Sequence, residues 1–167
     1  MEKKNNKKYL FWDIFFTTVL VLSLSFIIAR IFFIDYGKCS GDSMEPTIKN
    51  GAYLLANQNY SSIERNDIVF ATPEEFGESV IKRVVAVGGD HVVIKDNTLY
   101  INDVADTMFP NASYEEDIDI TVPANEYYLM GDNRENSIDS REFGFVKENE
   151  VESKIFYFTK NFTFPVL

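Results

Sequence analysis

Residues 79–102 read SVIKRVVAVGGDHVVIKDNTLYIN, and this stretch decides the fold. Its Val, Ile and Tyr residues favour strands over Ser79–Val87, His91–Lys95 and Thr98–Asn102. A Gly88-Gly89-Asp90 turn separates the first two runs. The two-residue link Asp96-Asn97 predicts a tight hairpin between the last two. The segment therefore predicts antiparallel β structure.

The sequence on both sides continues this pattern. Four more strands are predicted from the same residue types, over Ala52–Ala56, Asp67–Ala71, Glu126–Met130 and Ser153–Thr159. The acidic segment Asp103–Thr121 predicts an exposed, irregular loop, and no long amphipathic helical pattern follows residue 36. A chain of 167 residues suits one such domain plus a membrane segment. The predicted fold is mainly β, with an N-terminal transmembrane helix before an antiparallel β domain.

The membrane segment is residues 10–34, LFWDIFFTTVLVLSLSFIIARIFFI. As a helix, Phe11–Ile34 would be about 36 Å long, enough to span a bilayer core of about 30 Å. A cleaved signal peptide is the alternative, but the apolar run is long and no A-x-A-like site follows it. We therefore predict a basic tail at 1–9, an anchor at 10–34 and a β domain at 35–167.

Charge is distributed unevenly along the chain. Residues 1–34 hold five basic and two acidic side chains, a net charge of +3, while the whole chain carries −10, which leaves −13 for the remainder. By the positive-inside rule, the basic Lys3–Lys8 segment places the N-terminus in the cytoplasm and the chain from Asp35 onward outside. Such an acidic domain lacks the basic face that nucleic-acid binding needs. Membrane lipid is instead the expected partner of the apolar segment.

A single histidine and a single cysteine limit the catalytic groups available. His91 begins a strand after a turn and is expected at the surface, which weakens both a Ser-His-Asp triad and a pair with Cys39. One cysteine permits neither an intramolecular disulfide nor a cysteine-based zinc cluster. Residues 132–142 are acidic, but Arg134 stands at a ligand position of an EF-hand and its central Gly is missing. No metal site is predicted.

Serine with lysine remains the candidate pair. A lysine can be a general base only when it is neutral, and burial among apolar groups lowers its pKa from about 10.4. Side chains alternate along a strand, so Lys82 would share a face with Val80, Val84 and Ala86, while Arg83 would point the other way. A lysine on an edge strand that reaches solvent would give the same pattern, so a second signal is needed.

Two polar segments supply candidates for the other groups. Residues 40–47 read SGDSMEPT, where Gly41 permits close backbone approach and Pro46 stiffens the turn that would expose the Ser43 hydroxyl. Residues 131–146 read GDNRENSIDSREFGFV, and their density of hydrogen-bonding groups suits a rigid polar frame. Each segment alone could also be an ordinary solvated loop.

Together these segments resemble the type I signal peptidase family. Residues 43–47 match S-M-x-P-T, and residues 82–90 match K-R-V followed by a G-D turn. Residues 131–146 match G-D-N-R-x-N-S-x-D-S-R-x-F-G-x-V at every specified position. Residues 67–70 look like the family's G-D-x-V-x-F segment, with Asn66 in place of the glycine. The short spacing between Lys82 and Gly131 is similar to that of the compact Gram-positive type.

This resemblance implies a membrane-bound serine endopeptidase that cleaves signal peptides from exported preproteins, without a cofactor. It implies Ser43 as the nucleophile, with its backbone amide facing the oxyanion, and Lys82 as the general base. Ser137 would orient Lys82, and a supporting polar frame would be formed by Asp139, Arg141 and Arg83. The substrate would have small residues such as Ala at the first and third positions before the cut. The candidate pocket residues are Met44, Ile48, Val80 and Ile81.

One position departs from part of the family, and other functions remain open. Some members have a Ser at the position of Gly41 that donates to the oxyanion, so backbone amides would have to serve here. The alternatives are a self-cleaving Ser/Lys protein of the SOS-repressor type, a non-catalytic paralogue that binds preproteins or the secretion translocon, and a membrane-tethered β adaptor. The membrane segment argues against the first, and the presence of both Ser43 and Lys82 argues against the second.

Overall fold

The computed structural model describes residues 3–110 and 112–159, and it divides the chain into two units, 1–34 and 35–167. The first unit is helix α1, Lys3–Phe33. Its segment Tyr9–Ile28 is long and apolar enough to cross a membrane. Hydroxyl groups in this segment donate to backbone carbonyls one turn earlier, Thr17 to Asp13 and Thr18 to Ile14. They therefore need no external partner, as an apolar environment requires.

The second unit consists of two sheets. The strands are β1 Ile34–Lys38, β2 Tyr53–Asn57, β3 Ile68–Ala71, β4 Val80–Val87, β5 His91–Lys95, β6 Thr98–Ile101, β7 Val104–Ala105, β8 Ile118–Thr121, β9 Glu126–Met130, β10 Val146–Lys147 and β11 Val151–Phe158. The short helix α2 covers Ser140–Phe143, and a 3-10 turn covers Glu148–Glu150. One sheet has the order β1-β2-β11-β3-β4-β9-β10 and the other the order β7-β6-β5-β8. The central pairs of both sheets are antiparallel.

All seven strands predicted from the sequence are present, with ends that agree to within two residues. The predicted hairpin is also confirmed, because β5 and β6 pair directly across Asp96-Asn97. Both turn residues have positive φ, 49° and 61°, as a two-residue type I′ turn requires. The mainly β, antiparallel fold class is therefore correct. Residues 160–167 of the predicted β domain lie outside the described residues.

The prediction of an irregular loop over Asp103–Thr121 is wrong at both of its ends. Its first part contains β7 and its last part is β8, which pairs with β5. Ile118 and Ile120 alternate with Asp119 and Thr121, and the two isoleucines pack against an apolar cluster of the core. The acidic residues around this short strand hide its period-two pattern.

Strand β4 carries Lys82, and its register is irregular. Val80 and Val84 pack in one apolar cluster with Val69, the cross-strand neighbour of Lys82. Pairing with β9 shifts register between Val84 and Ala86, and Ala86 packs in a different cluster. The prediction that Ala86 shares the face of Lys82 is therefore wrong, because the extra residue of the bulge breaks the alternation.

Strand β4 is an interior strand, but one of its sides is only partly paired. On one side β3 pairs with Val80 through Arg83. On the other side β9 pairs only with Arg83 through Val87. Within 3–110 and 112–159, no strand pairs with Val80–Lys82 on the β9 side. The backbone immediately before Lys82 therefore keeps a free edge beside the candidate site.

Candidate active site

The Lys82 amine is buried within the second unit. The residue is 4% exposed, and its Nζ donates a hydrogen bond of 3.0 Å to Ser137 Oγ. Burial lowers the pKa of Lys82 below the usual lysine value, while the negative charges of Asp139 and Glu142 oppose that shift. The environment therefore favours the neutral amine that a general base requires.

Ser43 lies in a loop that is anchored from below. Met44, directly after Ser43, and Ile48, one turn later, are both 0% exposed and pack with Cys39 and Leu54. Backbone hydrogen bonds join Glu45 N–H to the Asp42 carbonyl at 3.0 Å and Ile48 N–H to the Met44 carbonyl at 2.9 Å. Ser43 itself is half-buried, at the start of this well-packed part of the loop.

The four predicted pocket residues have different positions in the site. Met44 and Ile48 have no accessible surface in this structure and form the buried part of residues 40–48, which we call the nucleophile loop because Ser43 is its candidate nucleophile. Val80 and Ile81 are half-buried on β4, directly before Lys82. A substrate side chain would therefore reach Val80 and Ile81 before it reached the two buried residues.

Gly131 is the point where the nucleophile loop and the lysine partner meet. A Cβ atom added at Gly131 would lie 2.5 Å from Ser137 Cβ and 2.6 Å from the Ser43 carbonyl oxygen. Both residues therefore pack directly on the Gly131 backbone, which brings Ser43, Ser137 and Lys82 into one small site. Within the described residues, the hydrogen bond of Lys82 Nζ goes to Ser137, and none joins it to Ser43 Oγ. Catalytic hydrogen bonds are often long before substrate binds.

The predicted polar frame is present around this site. Asp139 is 0% exposed, and its Oδ2 accepts from Gly131 N–H at 2.9 Å and from Arg141 Nη2 at 2.8 Å. Its Oδ1 accepts from Arg141 Nε at 2.8 Å. The same side chain accepts from the Arg141 backbone N–H, and Asp139 thereby caps the N-terminus of helix α2. Arg141 also donates to the Ser137 carbonyl at 3.3 Å. Asp139 and Arg141 thus fix the segment on both sides of Ser137.

Arg83 forms a second buried ion pair. Its Nε and Nη2 donate to the two carboxylate oxygens of Asp132, at 2.7 and 2.6 Å. Its Nη1 donates to the Asn66 carbonyl at 2.8 Å. Asn66 has a φ of 75°, a conformation that glycine and asparagine tolerate best, which explains how Asn replaces the glycine of the family pattern there. Arg83 therefore ties β4 to the start of the 131–146 segment.

Sequence reasoning assigned no role to Asn133, although it contacts the nucleophile loop. Its backbone N–H donates to the Ser43 carbonyl at 2.9 Å, and its Nδ2 donates to the Asp42 carbonyl at 3.2 Å. The density of polar residues in 131–146 was the available signal, but it could not single out one amide.

His91 lies away from these groups, at the surface as expected. Its side chain is 40% exposed, and Nε2 lies 2.7 Å from Asp119 Oδ1. Among the residues that the structure describes, no group of three His, Cys, Asp or Glu side chains is arranged to hold a metal ion. The groups that meet at Gly131 are thus a serine, a buried lysine and a second serine, which together can support nucleophilic attack with a lysine base.

Comparison with known proteins identifies the family. The profile of the family described as "Signal peptidase, peptidase S26" matches residues 11–159. Signal peptidase I T of Bacillus subtilis (strain 168) is 33% identical over 177 residues, which cover 95% of this chain and 90% of the relative. Signal peptidase I V of the same organism is 34% identical over 161 residues, which cover 84% of this chain and 93% of the relative.

A solved structure supports the same assignment. The crystal structure of a signal peptidase I from Enterococcus faecalis V583 matches with a TM-score of 0.51 and 32% identity, over 59% of this chain and 100% of that chain. Family profile, relatives and structure all agree on one family. The chain therefore belongs to the type I signal peptidase family, whose members are serine peptidases.

Proposed function

We propose that this protein is a membrane-bound serine endopeptidase that removes N-terminal signal peptides from exported preproteins with a Ser43/Lys82 dyad. Family membership supports the reaction and the preprotein substrates. One observation carries the dyad, namely that the buried Lys82 amine is bonded to Ser137, which packs with Ser43 on Gly131. No cofactor takes part in this chemistry.

The proposed reaction begins when the neutral Lys82 amine takes the proton of Ser43 Oγ. The oxygen attacks the scissile carbonyl, whose charge is stabilised by the Ser43 N–H. The Lys82 ammonium then gives its proton to the leaving amine, and an ester to Ser43 remains. Lys82 next deprotonates a water that attacks the ester, and Ser43 recovers its proton as the signal peptide leaves. The Ser137 hydroxyl holds Nζ in place throughout.

The free edge of β4 offers a place for the substrate. An extended peptide can pair with the unpaired side of Val80–Lys82, as added strands do in many peptide complexes. Side chains then alternate between facing the site and facing solvent. We therefore place the residues at the first and third positions before the cut on the one face of the added strand that turns toward Ser43 and Lys82, where small side chains fit.

Cleavage of a designed preprotein tests the substrate proposal. The preprotein carries Ala at both the first and third positions before the intended cut. We expect cleavage at this one bond, identified from the N-terminal sequence of the mature product. Replacing the Ala at the first position by Trp should lower kcat/KM by at least about 100-fold, because the bulky ring cannot fit and misplaces the carbonyl. Trp at the second position, which faces away, should have little effect. Equal losses at both positions would contradict the proposed binding mode.

The pH dependence of cleavage tests the role of Lys82. Because the neutral amine is active, kcat/KM should rise with pH through the lowered pKa of Lys82 and level off above it. Glu142 raises that pKa through its negative charge. Glu142→Gln should therefore lower the pKa and move the rise in kcat/KM to lower pH, whereas Glu148→Gln, on the 3-10 turn, should leave it in place. A shift to higher pH in Glu142→Gln would contradict the assignment.

We also propose a single-pass topology with the N-terminus in the cytoplasm and residues 35–167 outside. The basic residues at the start of α1 and the apolar segment Tyr9–Ile28 support it. Lipid would surround that segment, and the secretion translocon would deliver the preproteins. Protease added to intact spheroplasts should digest the β domain and spare a tag at residue 1, and the reverse result would overturn this topology.

A further inference from the structure

The donor proposed for the oxyanion belongs to a peptide unit that Asn133 holds. In the trans peptide between Asp42 and Ser43, the Asp42 C=O and the Ser43 N–H lie in one plane and point in opposite directions. That C=O accepts two hydrogen bonds, one from Glu45 N–H within the loop at 3.0 Å and one from Asn133 Nδ2 outside it at 3.2 Å. The Asn133 backbone N–H donates to the next carbonyl, that of Ser43, at 2.9 Å. One residue therefore holds two successive peptide units of the nucleophile loop.

We propose that Asn133 is a positioning residue for the oxyanion site. Its side chain binds the Asp42 carbonyl, on the side of the peptide opposite to the Ser43 N–H. This contact directs the N–H toward the oxygen that becomes negatively charged during attack. A hydrogen bond accepted by the carbonyl also polarises the peptide and strengthens its N–H as a donor. This inference rests on the proposed function and adds a residue to it.

The nucleophile loop needs such a restraint at this point. Gly41 has a φ of 103°, and its hydrogen bonds are long: its N–H donates to Asn50 Oδ1 at 3.4 Å and its carbonyl accepts from Cys39 Sγ at 3.8 Å. Gly41 and Asp42 are both exposed. No side chain at position 41 can donate to an oxyanion, so stabilisation depends on how well the backbone N–H is aimed. The apolar core holds Cys39 before this exposed part of the loop and Met44 after it, but it includes neither Gly41 nor Asp42.

Asn133 can act as this restraint because its own position is fixed. It follows Asp132, which is buried and paired with Arg83 through two hydrogen bonds. Two residues earlier, Gly131 N–H is bonded to Asp139. The Asn133 N–H therefore projects from a rigid frame, and its side chain extends that frame to the exposed part of the loop.

Asn133→Asp is the sharpest variant, because it keeps the shape of the side chain and removes the Nδ2 donor. Asn125→Asp, in the exposed turn before β9, is the matched control. We expect kcat for preprotein cleavage to fall by about 10- to 100-fold in Asn133→Asp, with KM within about twofold of wild type. Asn125→Asp should match wild type in both. Asn133→Ala removes the donor without adding charge, and should give the same pattern if the Asp variant folds poorly.

A pair of inhibitors tests whether Asn133 orients the Ser43 N–H toward the oxyanion or only stabilises the loop as a whole. A peptide aldehyde ending in Ala accepts Ser43 Oγ at its carbonyl carbon, while the Oγ proton passes to Lys82 and the aldehyde oxygen occupies the oxyanion site. The matching peptide alcohol binds without forming that bond. We expect the Ki of the aldehyde to rise by the same factor as kcat falls, and the Ki of the alcohol to stay unchanged.

Two outcomes would overturn the role of Asn133. If both inhibitors weaken equally, or if the loss appears in KM, the residue supports only the shape of the loop. If kcat is unchanged, the hydrogen bond from the Asn133 side chain to the Asp42 carbonyl has no function in catalysis. In both cases wild-type cleavage still stands, whereas failure of the wild-type protein to cut any preprotein would instead reject the proposed function.

Discussion

Replacing Lys82 with methionine is expected to abolish cleavage and to leave a folded protein. Methionine keeps the unbranched shape of the side chain but has no proton acceptor, so kcat/KM should fall by at least about 10⁴-fold, as when a catalytic dyad loses one member. Lys82→Arg should lose as much, because a guanidinium stays protonated. Ser43→Ala should lose a similar factor. The measurement is kcat/KM on one preprotein for all variants.

The same substitution has an expected effect on stability, and its sign follows from the pKa. Burial lowers the pKa of Lys82 in the folded protein. Between that pKa and the unfolded value, the folded state binds fewer protons, so stability of the wild-type protein increases as the pH rises through this window. At neutral pH the burial of Lys82 therefore costs stability. Lys82→Met removes this titration, so its stability should not rise with pH through that window as the stability of the wild-type protein does, while the lost bond to Ser137 costs about 1 kcal/mol.

His91→Ala is the control for these variants. His91 is the one histidine of the sequence, and it lies at the surface against Asp119. Its loss should leave kcat/KM within about twofold of wild type, since an exposed pair contributes little. Wild-type activity in Lys82→Met, or loss of activity in His91→Ala, would show that the dyad is wrong.

Gly131→Ala, which adds a single methyl group, is expected to lower both stability and activity strongly. The added Cβ would overlap both the Ser137 side chain and the Ser43 carbonyl. Because the clash includes backbone, it cannot be relieved by rotating one side chain. We expect the free energy of unfolding to fall by about 1–3 kcal/mol, a typical cost of overpacking. We also expect kcat/KM to fall by at least about 100-fold, because nucleophile and lysine move apart.

Gly37→Ala provides the comparison for this prediction. Its Cβ would meet only the Phe70 ring, at 3.1 Å, and a ring can shift slightly. Thermal unfolding and kcat/KM should therefore both remain close to wild type. If Gly131→Ala is as active as Gly37→Ala, the close packing of Ser43 and Ser137 on residue 131 is not required for catalysis.

Sequence reasoning predicted the parts of this fold that depend on local patterns. The two-residue turn at Asp96-Asn97 and the strands around it follow from residue type and spacing alone. The bulge between Val84 and Ala86 could not be predicted, because it depends on pairing with a strand about 45 residues away in the sequence. Strand β8 was missed for a different reason, since its acidic surroundings resemble those of a loop.

The candidate site was predictable as a set of residues but not as a geometry. The 131–146 motif identified Ser137, Asp139 and Arg141, and the structure places all three around Lys82 or its partner. Motif spacing could not show that Gly131 is the contact between the two halves of the site. Nor could it show that Asn133 donates hydrogen bonds to the carbonyls of Asp42 and Ser43. Both depend on how a loop early in the sequence packs against a segment 90 residues later.

Chemical restoration of the amine at position 82 tests the central claim most directly. In a Cys39→Ala background, which leaves no other thiol, Lys82→Cys should be inactive. Alkylation of that thiol with 2-bromoethylamine should then restore an amine of nearly the same length as lysine. We predict that preprotein cleavage returns, with its rise in kcat/KM moved to lower pH because the thioether makes this amine less basic. Complete alkylation of a folded protein without return of activity would contradict Lys82 as the general base.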